Sequence, residues 1–388
     1  MTSDARPHPI ALPNNRPRRI IEQLLEGSGI RLNGPEPHDI QIYHPDLFAR
    51  ILHQGTLGLG EAYMDGWWEA RRIDQLAHRL LRHGLGQRSR SAASHLFYRL
   101  QAGFFNLQSR ARAYKVGEVH YDLGNDLFRY MLDDTMCYSC GYWRQATTLH
   151  QAQLAKLDLV CRKLALRPGM HLLDIGCGWG SLAQHAARHY GVSVTGITIS
   201  REQVALARER CQGLPVDIQL ADYRDLQGQY DRIASIGMFE HVGQRNYTTF
   251  FRTVADLLPD DGLFLLHTIG SNTSRITADP WIHRYIFPNG VLPSARQICQ
   301  HSEETLMVED WQNFGSDYDL TLLAWLANLD ACWHDIARHY NTRHCNERTY
   351  RMLRYYLAIC AGAFRARYLQ LWQVVFSRGR ELRYDAPR

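Results

Sequence analysis

The second half of the chain alternates short apolar runs with segments whose apolar residues recur at helical spacing. The apolar runs predict buried strands at Leu172–Ile175, Ser193–Ile199, Asp217–Leu220, Tyr230–Ile236 and Leu263–Thr268. Helical spacing between them, as in Arg201–Cys211 and Asn246–Leu258, predicts the crossover helices that connect parallel strands. The alternation therefore predicts an α/β fold built on a doubly wound sheet.

A glycine turn follows the first predicted strand, with Gly176, Gly178 and Gly180 directly before a helix pattern that begins at Ser181. Glycines let the backbone bend sharply and approach a bound molecule closely, because they carry no Cβ atom. A strand, a glycine turn and a helix N-terminus form a nucleotide-type site at the carboxyl end of a parallel sheet. The spacing G-C-G-W-G differs from the G-x-G-x-x-G of dinucleotide sites, and the second strand ends in hydroxyl residues rather than an acid. A purely structural turn is the alternative.

Two later strand patterns, Met307–Phe314 and Leu371–Ser377, enclose helix patterns at Asp319–Trp333 and Tyr350–Phe364. A final strand pair of this kind marks the methyltransferase variant of the sheet, so we expect seven strands in all. The stretch Ser271–Gln300 is too long for a simple connection, and we expect helical insertions there that form a lid or an acyl-chain wall.

The first part of the chain predicts a smaller mixed domain. It combines a helix pattern at Arg19–Leu25, a turn at Asn33, an extended run at Ile40–Tyr43 and a glycine-rich passage at Leu57–Trp68. We therefore expect an N-terminal lipid-associating domain over residues 1–95, a basic linker over 96–118 and a catalytic domain over 119–388.

Composition indicates a protein without spanning segments or a disulfide framework. The charged fraction is 21%, and apolar stretches fall short of the roughly 20 residues that a membrane-spanning helix needs. The polar N-terminus lacks the apolar core of a signal peptide, so a cytoplasmic location is expected. Nine cysteines at irregular spacing suggest reduced thiols, and the pair Cys137 and Cys140 lacks the further ligands of a metal site.

The stretch from Arg71 to Lys115 holds ten Lys and Arg residues against one acid, Asp74. Leu and Phe residues interleaved with these charges would give amphipathic helices with basic faces, a membrane-surface pattern. Nucleic acid is also an anionic partner for such a segment. The alternative is a helical linker whose apolar stripe packs on the protein itself.

Motifs along nearly the whole chain resemble those of the cyclopropane fatty acid synthases. The similar segments are His120–Asp126, Tyr138–Cys140, Leu173–Gly180, Gly237–Gly243, Leu266–Gly270, Asn313–Tyr318 and Cys360–Arg367, together with the N-terminal passage Leu57–Trp68. The N-terminal passage points to the bacterial phospholipid-acting branch, because the shorter mycolate-modifying enzymes lack that domain. The resemblance implies transfer of a methylene group from S-adenosylmethionine to a cis double bond of a phospholipid acyl chain.

Such a reaction needs a base and a dry site. An alkene that attacks the sulfonium methyl becomes a carbocation, which must lose a proton from that methyl for the ring to close, and water would trap it as an alcohol. Aromatic faces favour positive charge. Candidates to line the chamber are Phe239, Trp281, Tyr285, Phe287 and Tyr318.

The resemblance implies that a bicarbonate ion is the base. The residues implied to hold it are Cys140, Glu240, His267, Ile269 through its backbone, and Tyr318. His267 and Ile269 stand two apart on a strand and so face the same way. Cys360 is an active-site residue of the family by resemblance, but the reaction needs no thiol nucleophile, so a packing role is expected.

The resemblance also assigns the cofactor contacts. They are Tyr138, Ser139, Asp174, Gly176, Cys177, Gly178, Gly180, Thr198, Ile199, Gln203, Asp222, Tyr223 and Arg224. Asp222 follows the third strand, where an acid usually meets the adenine amine.

Other functions remain open at this stage. A methyl-branching enzyme would form the same carbocation and then use a hydride reductant, and a lipid-binding protein with a dead site is a further possibility. A nucleic-acid methyltransferase would explain the basic segment but not the N-terminal passage. We expect membrane phospholipids, and no nucleic acid, as partners. We also predict a homodimer that associates peripherally with the inner face of the cell membrane.

Overall fold

The structure is a computed structural model that describes residues 8–85, 125–274, 278–339, 346–379 and 383–388. The predicted linker 96–118, Arg88, Arg90 and most of the motif that begins at His120 lie outside these ranges.

The N-terminal part is mixed, as predicted, but mainly helical. It contains α1 (Arg16–Leu25), β1 (Gln41–Ile42), α2 (Leu47–Met64), β2 (Trp68–Glu69) and α3 (Ile73–Arg82), with β1 and β2 antiparallel. The glycine-rich passage belongs to α2 as far as Met64 and reaches β2 at Trp68. Helix α2 is kinked at Gly55 with φ 59°. Gly60 lies where α2 approaches Trp281, since a Cβ there would be 2.4 Å from the indole Cδ1. The glycine therefore permits close packing between distant parts of the chain.

A seven-stranded sheet forms the centre of the second part. Its strands are β3 (His171–Ile175), β4 (Ser193–Thr198), β5 (Val216–Leu220), β6 (Arg232–Ile236), β7 (Leu263–Ser271), β8 (Met307–Asn313) and β9 (Leu369–Ser377). They lie in the order β5-β4-β3-β6-β7-β9-β8, with β3 to β7 parallel and β9 antiparallel to both β7 and β8. The predicted methyltransferase-type sheet is confirmed.

Helices cover both faces of this sheet and its carboxyl edge. They are α4 (Asn125–Met131), α5 (Leu149–Lys163), α6 (Ser181–Tyr190), α7 (Arg201–Arg210), α8 (Tyr247–Leu257), α9 (Pro280–Tyr285), α10 (Ala295–Ser302), α11 (Gly315–His339) and α12 (Glu347–Arg365). Leu172 and Leu173 of β3 enter different apolar clusters, because successive strand residues point to opposite faces. Strand β3 is thus buried on both faces of the sheet, as its continuous apolar run predicts.

The N-terminal part and the catalytic part share one apolar core. Phe48 and Trp68 belong to the same buried cluster as Trp281, Trp325 and Tyr355. Aromatic contacts cross the boundary directly, since the rings of Trp281 and Tyr355 lie 4.7 Å apart and those of Trp68 and Tyr355 lie 6.2 Å apart. The insertion that contains α9 therefore forms a wall against the N-terminal part.

Helix α3 carries the first basic residues of the stretch 71–115, and its apolar face packs on α12. Leu76 and Ala77 are buried, and a Cβ at Gly362 of α12 would lie 2.7 Å from Ala77 Cβ. Arg365 of α12 bridges Asp74 and Asp319 with hydrogen bonds of 2.8 Å. For α3 the packing alternative is correct, while Arg79 and Arg82 remain exposed. Within the described ranges, no helix combines the length and apolar character needed to cross a membrane.

Candidate active site

Each glycine of the turn after β3 has its own structural reason. Gly176 has φ 85°, and a Cβ there would lie 2.8 Å from Met238 Cβ. Gly180 has φ 80° at the start of α6, where a Cβ would lie 3.1 Å from Cys211 Sγ. Gly178 has φ 54°, and no described protein atom lies within 4 Å of its Cβ position. Gly178 thus borders open space, as expected where a ligand approaches the backbone.

Cys177 takes part in this turn through its backbone, because its side chain is buried in the core. Burial raises the pKa of its thiol well above the ordinary value. The Cys177 N–H and the Gly176 N–H both donate to Ile197 O of β4 at 2.9 Å. These bonds fix the glycine turn against the neighbouring strand.

Thr198 and Gln203 lie together at the carboxyl end of β4. The hydroxyl of Thr198 donates to Gln203 Oε1 at 2.6 Å, and both side chains are buried. Ser200 caps α7 by accepting from the Gln203 N–H at 3.3 Å. Ile199 is half-buried between them. The predicted cofactor contacts at the end of β4 thus lie close together.

After β5, the carboxylate of Asp222 is held by Arg224. Arg224 Nε donates to Asp222 Oδ1 at 2.8 Å, and the Nη2 atom lies 2.5 Å from Oδ2. The guanidinium also lies over the Tyr223 ring, 5.4 Å from its centroid. Hydrogen bonds to the guanidinium raise the pKa of Arg224. Both oxygens of the expected adenine-binding acid are therefore already engaged in this structure.

Tyr138 and Ser139 precede α5 and face different partners. The Tyr138 hydroxyl lies 3.2 Å from the Tyr356 hydroxyl of α12, and its ring lies 5.3 Å from the Trp325 ring. Ser139 is buried, and its Oγ accepts from Lys156 Nζ at 3.0 Å.

Burial raises the pKa of Asp174, at the end of β3, to about 7, while the charge of Lys156 lowers it.

Glu240 lies in a 3-10 turn after β6 with its carboxyl group turned towards β7. The Ile269 N–H donates to Glu240 Oε1 at 2.6 Å. Oε2 is buried and has no hydrogen-bond partner among the described residues. Burial raises the pKa of Glu240 to about 7, opposed by the bond from Ile269. The backbone of Ile269, through which the resemblance implies a contact with bicarbonate, thus binds Glu240 through its N–H.

His267 is fully buried two residues before Ile269. Its Nδ1 lies 3.3 Å from Gln373 Nε2 of β9, and its Nε2 has no partner in the described part of the chain. Burial lowers its pKa well below the ordinary value, so the ring is neutral. Burial raises the pKa of Tyr318 well above its ordinary value, and nearby Cys140 and Glu240 raise it further. Cys140 and Glu240 are therefore near enough to Tyr318 to act on its pKa, and Glu240 binds the backbone two residues beyond His267.

The two cysteines predicted among the catalytic residues, Cys140 and Cys360, lie in surroundings that favour the neutral thiol. Cys140 is buried, and its Sγ lies 3.1 Å from Gly141 O and 3.8 Å from Thr321 Oγ1. Burial raises its pKa well above the ordinary value. Burial also raises the pKa of Cys360 to about 12. Neutral thiols fit packing or weak hydrogen bonding rather than nucleophilic attack.

The aromatic candidates lie in three different surroundings. Phe239 is a core residue, because it is fully buried and stacks on Tyr247 with ring centroids 4.4 Å apart. Tyr318 packs against Phe364 at 4.6 Å, and Phe287 lies 5.9 Å from Tyr356. Trp281 and Tyr285 lie in α9, 5.6 Å apart, in the wall against the N-terminal part.

Sequence reasoning missed several polar residues of the site. Gln373 lies opposite His267 in the antiparallel pairing of β7 with β9. Lys156 lies on α5, the helix that precedes β3. Thr321 receives hydrogen bonds from Gly141 N at 3.1 Å and Trp143 Nε1 at 2.9 Å. Only the register across the sheet and the packing of α5 and α11 bring these residues to the site, so no local pattern could reveal them.

The raised pKa of Glu240 predicts a pH-dependent stability. Because the folded pKa of about 7 exceeds the ordinary 4.5, the stabilisation is fully present below pH 4.5 and is lost as the pH rises through 7. Relative to Glu240→Gln, the wild-type chain should lose on the order of 1 kcal/mol between about pH 6 and pH 8. Melting temperatures of both proteins across this interval, in bicarbonate-free buffer, check this. A constant difference would contradict the buried, proton-binding Glu240.

Comparisons with known proteins define the family. The profile of the family described as mycolic acid cyclopropane synthetase matches residues 108–374. The cyclopropane-fatty-acyl-phospholipid synthase of Escherichia coli K12 is 55% identical over 372 residues, which cover 96% of each chain. The chain belongs to this family. As a cyclopropane synthase family member, it is an S-adenosylmethionine-dependent methyltransferase, as the sequence predicted.

Two further relatives define how the family varies. The tuberculostearic acid methyltransferase of Mycobacterium tuberculosis is 32% identical and covers 92% of this chain and 87% of its own. A mycolic acid cyclopropane synthase, whose crystal structure is a complex with SAH and CTAB, is 34% identical in sequence and superimposes with a TM-score of 0.62. The superposition covers 98% of the mycolic acid enzyme but 68% of this chain. Family members thus differ in whether they extend beyond the catalytic part.

Proposed function

We propose that the protein is a cyclopropane-fatty-acyl-phospholipid synthase that transfers a methylene group from S-adenosylmethionine to a cis double bond of a membrane phospholipid. The observation that carries this proposal is the similarity to the Escherichia coli enzyme over 96% of both chains, N-terminal part included. The mycolate relative of known structure covers only 68% of this chain. A phospholipid substrate is therefore favoured over a mycolate.

The turn after β3 and the ends of β4 and β5 form the proposed cofactor site. Gly178 leaves space beside the backbone, and Ser139 and Asp174 provide polar groups at one end. Thr198, Gln203 and Asp222 provide them at the other. Ligands bind at the carboxyl ends of strands in such sheets, where the order of strands reverses, here between β3 and β6. S-adenosylmethionine bound there supplies the methyl group that becomes the ring carbon.

The proposed base pocket, formed by Glu240, His267 and Tyr318, suits a small oxyanion with a hydroxyl group. Glu240 Oε2 and His267 Nε2 are buried without partners in the described residues, which is costly unless a ligand or water satisfies them. Bicarbonate would receive hydrogen bonds from His267 Nε2 and the Tyr318 hydroxyl, and its own hydroxyl would reach Glu240. When bound, this ion supplies a base near the reacting carbons.

The chain's own residues keep the reaction dry and the positive charge stable. The Tyr138 and Tyr356 hydroxyls lie 3.2 Å apart, and the Phe287 ring lies 5.9 Å from the Tyr356 ring. Tyr318 is near enough to raise the pKa of Tyr356. Burial raises the pKa of Tyr318 and Tyr356 well above their ordinary values, so these hydroxyls stay neutral. Neutral aromatic rings favour a carbocation without trapping it, unlike water.

Transfer of label from the cofactor methyl group tests this proposal. Purified protein, radiolabelled S-adenosylmethionine and vesicles of monounsaturated phospholipid should give label in the lipid, and bicarbonate depletion should suppress it. Readdition of bicarbonate restores the rate if the anion site is correct. Lipid without label in the presence of bicarbonate would instead favour a lipid-binding protein with a dead site.

A methyl-branching activity is the second candidate. The tuberculostearic acid methyltransferase similar to 92% of this chain supports it. Such an enzyme would need a hydride donor to reduce the carbocation, whereas ring closure needs only a base. Glu240 Oε2 and His267 Nε2, buried without partners among the described residues, favour ring closure by a base. Gas chromatography of the product distinguishes a cyclopropane ring from a methyl branch.

Binding to the membrane is proposed to be peripheral and electrostatic. The stretch 71–115 has an excess of nine positive charges, and each residue near an anionic surface contributes up to about 1 kcal/mol. We expect vesicle sedimentation to rise with anionic lipid content and to fall with salt. Replacing Arg82, Arg88 and Arg90 by Gln should reduce activity on vesicles more than S-adenosylmethionine affinity. Equal binding to neutral and anionic vesicles at every salt concentration would contradict this.

The predicted homodimer is also part of the proposal. Its basis is the resemblance of the sequence to the family, and the location at the inner face of the membrane has the same basis. Light scattering coupled to size-exclusion chromatography measures the oligomeric state directly.

A further inference from the structure

Helix α5 carries two buried lysines with different surroundings. Lys163 is paired, since its Nζ lies 3.0 Å from Asp310 Oδ2. Lys156 is 1% exposed, and Ser139 Oγ, at 3.0 Å, is its hydrogen-bond partner among the described residues. No carboxylate in the described part of the chain lies within ion-pair distance of Lys156 Nζ. Burying an ammonium group against a neutral hydroxyl is costly, so an anion supplied by a ligand would complete the site.

Helix α5 holds Ser139 through both its backbone carbonyl group and its side-chain hydroxyl group. Gln153 Nε2 donates to Ser139 O at 2.8 Å, and Lys156 donates to Ser139 Oγ. Gln153 and Lys156 stand three apart on the helix and therefore share one face. Because Ser139 Oγ accepts from Lys156, its own proton is free to point elsewhere.

The charge of Lys156 acts on groups at both ends of the proposed reaction site. It favours the ionised form of Asp174 at the end of β3. It also opposes protonation of His267 and favours the thiolate form of Cys140 in the base pocket. The Lys156 ammonium is thus near enough to act on the end of β3 and on the predicted base residues, and the amino-acid end of a bound cofactor would lie near both if its methyl group faces the base.

We propose that Lys156 is a positioning residue that holds the carboxylate of the cofactor's methionine moiety through Ser139. The inference rests on the proposed function. The Lys156 ammonium donates to Ser139 Oγ, and the Ser139 hydroxyl donates to the carboxylate. Asp174, whose ionised form the same ammonium favours, faces the cofactor's amino group. The zwitterionic end of the cofactor thus meets a complementary pair of charges.

Isothermal titration with two nucleosides tests this without turnover. S-adenosylhomocysteine carries the amino-acid end, and 5′-methylthioadenosine lacks it. Lys156→Met should weaken S-adenosylhomocysteine binding by about ten- to one hundredfold, the range for a hydrogen bond that involves a charge, and leave 5′-methylthioadenosine binding unchanged. Lys156→Arg, which keeps the charge, should recover part of the loss.

A double-mutant cycle tests the route through Ser139. Ser139→Ala alone should weaken S-adenosylhomocysteine binding in the same selective way, and Lys156→Met added to it should cost little more. Additive losses would overturn the relay. If Lys156→Met folds poorly, Lys156→Gln, which also removes the charge, serves as the second change of the cycle.

The matched control is Lys163→Met, which removes the other buried lysine of α5 from its pair with Asp310. It should lower the melting temperature but leave the affinity ratio of the two nucleosides unchanged. Equal loss of both nucleosides in a folded Lys156→Met protein, or no loss of either, would overturn the inference. Failure of the wild-type chain to bind S-adenosylhomocysteine would contradict the cofactor site itself, which distinguishes the two failures.

Discussion

Glu240→Gln is expected to reduce turnover by about ten- to one hundredfold while S-adenosylmethionine still binds, because a hydrogen bond to a charged group contributes about 1.5 to 3 kcal/mol. The variant keeps the shape of the side chain but replaces Oε2, the buried atom without a partner among the described residues. The bond from Ile269 N to Oε1 at 2.6 Å can persist with an amide oxygen in that place. The change therefore removes the acceptor that faces the proposed anion and little else.

The measurement is initial rate on monounsaturated vesicles at several fixed bicarbonate concentrations, with calorimetry for the cofactor. A specific role in the anion site predicts that the bicarbonate concentration for half-maximal rate rises. Glu303→Gln, an exposed acid at the end of α10, serves as the control and should behave as wild type. Normal turnover by Glu240→Gln at low bicarbonate would exclude Glu240 from the site.

Gly178→Val is expected to abolish detectable S-adenosylmethionine binding. No described protein atom lies within 4 Å of the Cβ position, so the branched side chain would occupy the space proposed for the ligand. The backbone angle φ of 54° adds strain, because β-branched residues rarely adopt positive φ values. Calorimetry with S-adenosylmethionine measures the loss.

The strain alone is controlled by Gly169→Val. Gly169 lies in the turn at the opposite end of β3, has φ 86°, and also has no described atom within 4 Å of its Cβ position. This variant should lose stability but keep the cofactor affinity. If Gly178→Val folds and binds as wild type does, the cofactor lies elsewhere.

The sheet could be predicted because its signals are local. Continuous apolar runs identify strands buried on both faces, and the predicted bounds of β4 and β6 differ from the structure by one or two residues. The turn glycines were identified for the correct reason at Gly178, whose Cβ position is open. At Gly176 and Gly180 the reason is tight packing against Met238 and Cys211, which no local pattern contains.

The N-terminal part was harder to predict because its stability depends on distant contacts. The glycine-rich passage was assigned to no helix or strand from the sequence, yet Gly58 and Gly60 lie in α2. Gly60 is needed because Trp281, far along the chain, packs on it. The apolar stripe of α3 with its basic neighbours fits the pattern of a membrane-surface helix, but α12 packs on this stripe at Gly362. Tertiary packing thus decided what periodicity alone could not.

The candidate site was predicted through the resemblance, and the structure adds the polar groups around it. Glu240, His267 and Tyr318 come from different elements that only the fold brings together. Gln373 and Lys156 carry no motif, because one depends on strand register and the other on helix packing. Asp222, expected to reach the adenine, is paired with Arg224 in this structure.

Identification of the lipid product tests the central claim most directly. Wild-type protein is incubated with S-adenosylmethionine, bicarbonate and vesicles of a monounsaturated phospholipid, and the released fatty acids are separated by gas chromatography and identified by mass spectrometry. The account predicts a cyclopropane fatty acid, heavier than the substrate by one CH₂ unit and with its ring at the former double bond. A methyl-branched chain, or an unchanged substrate in the presence of bound cofactor, would contradict it.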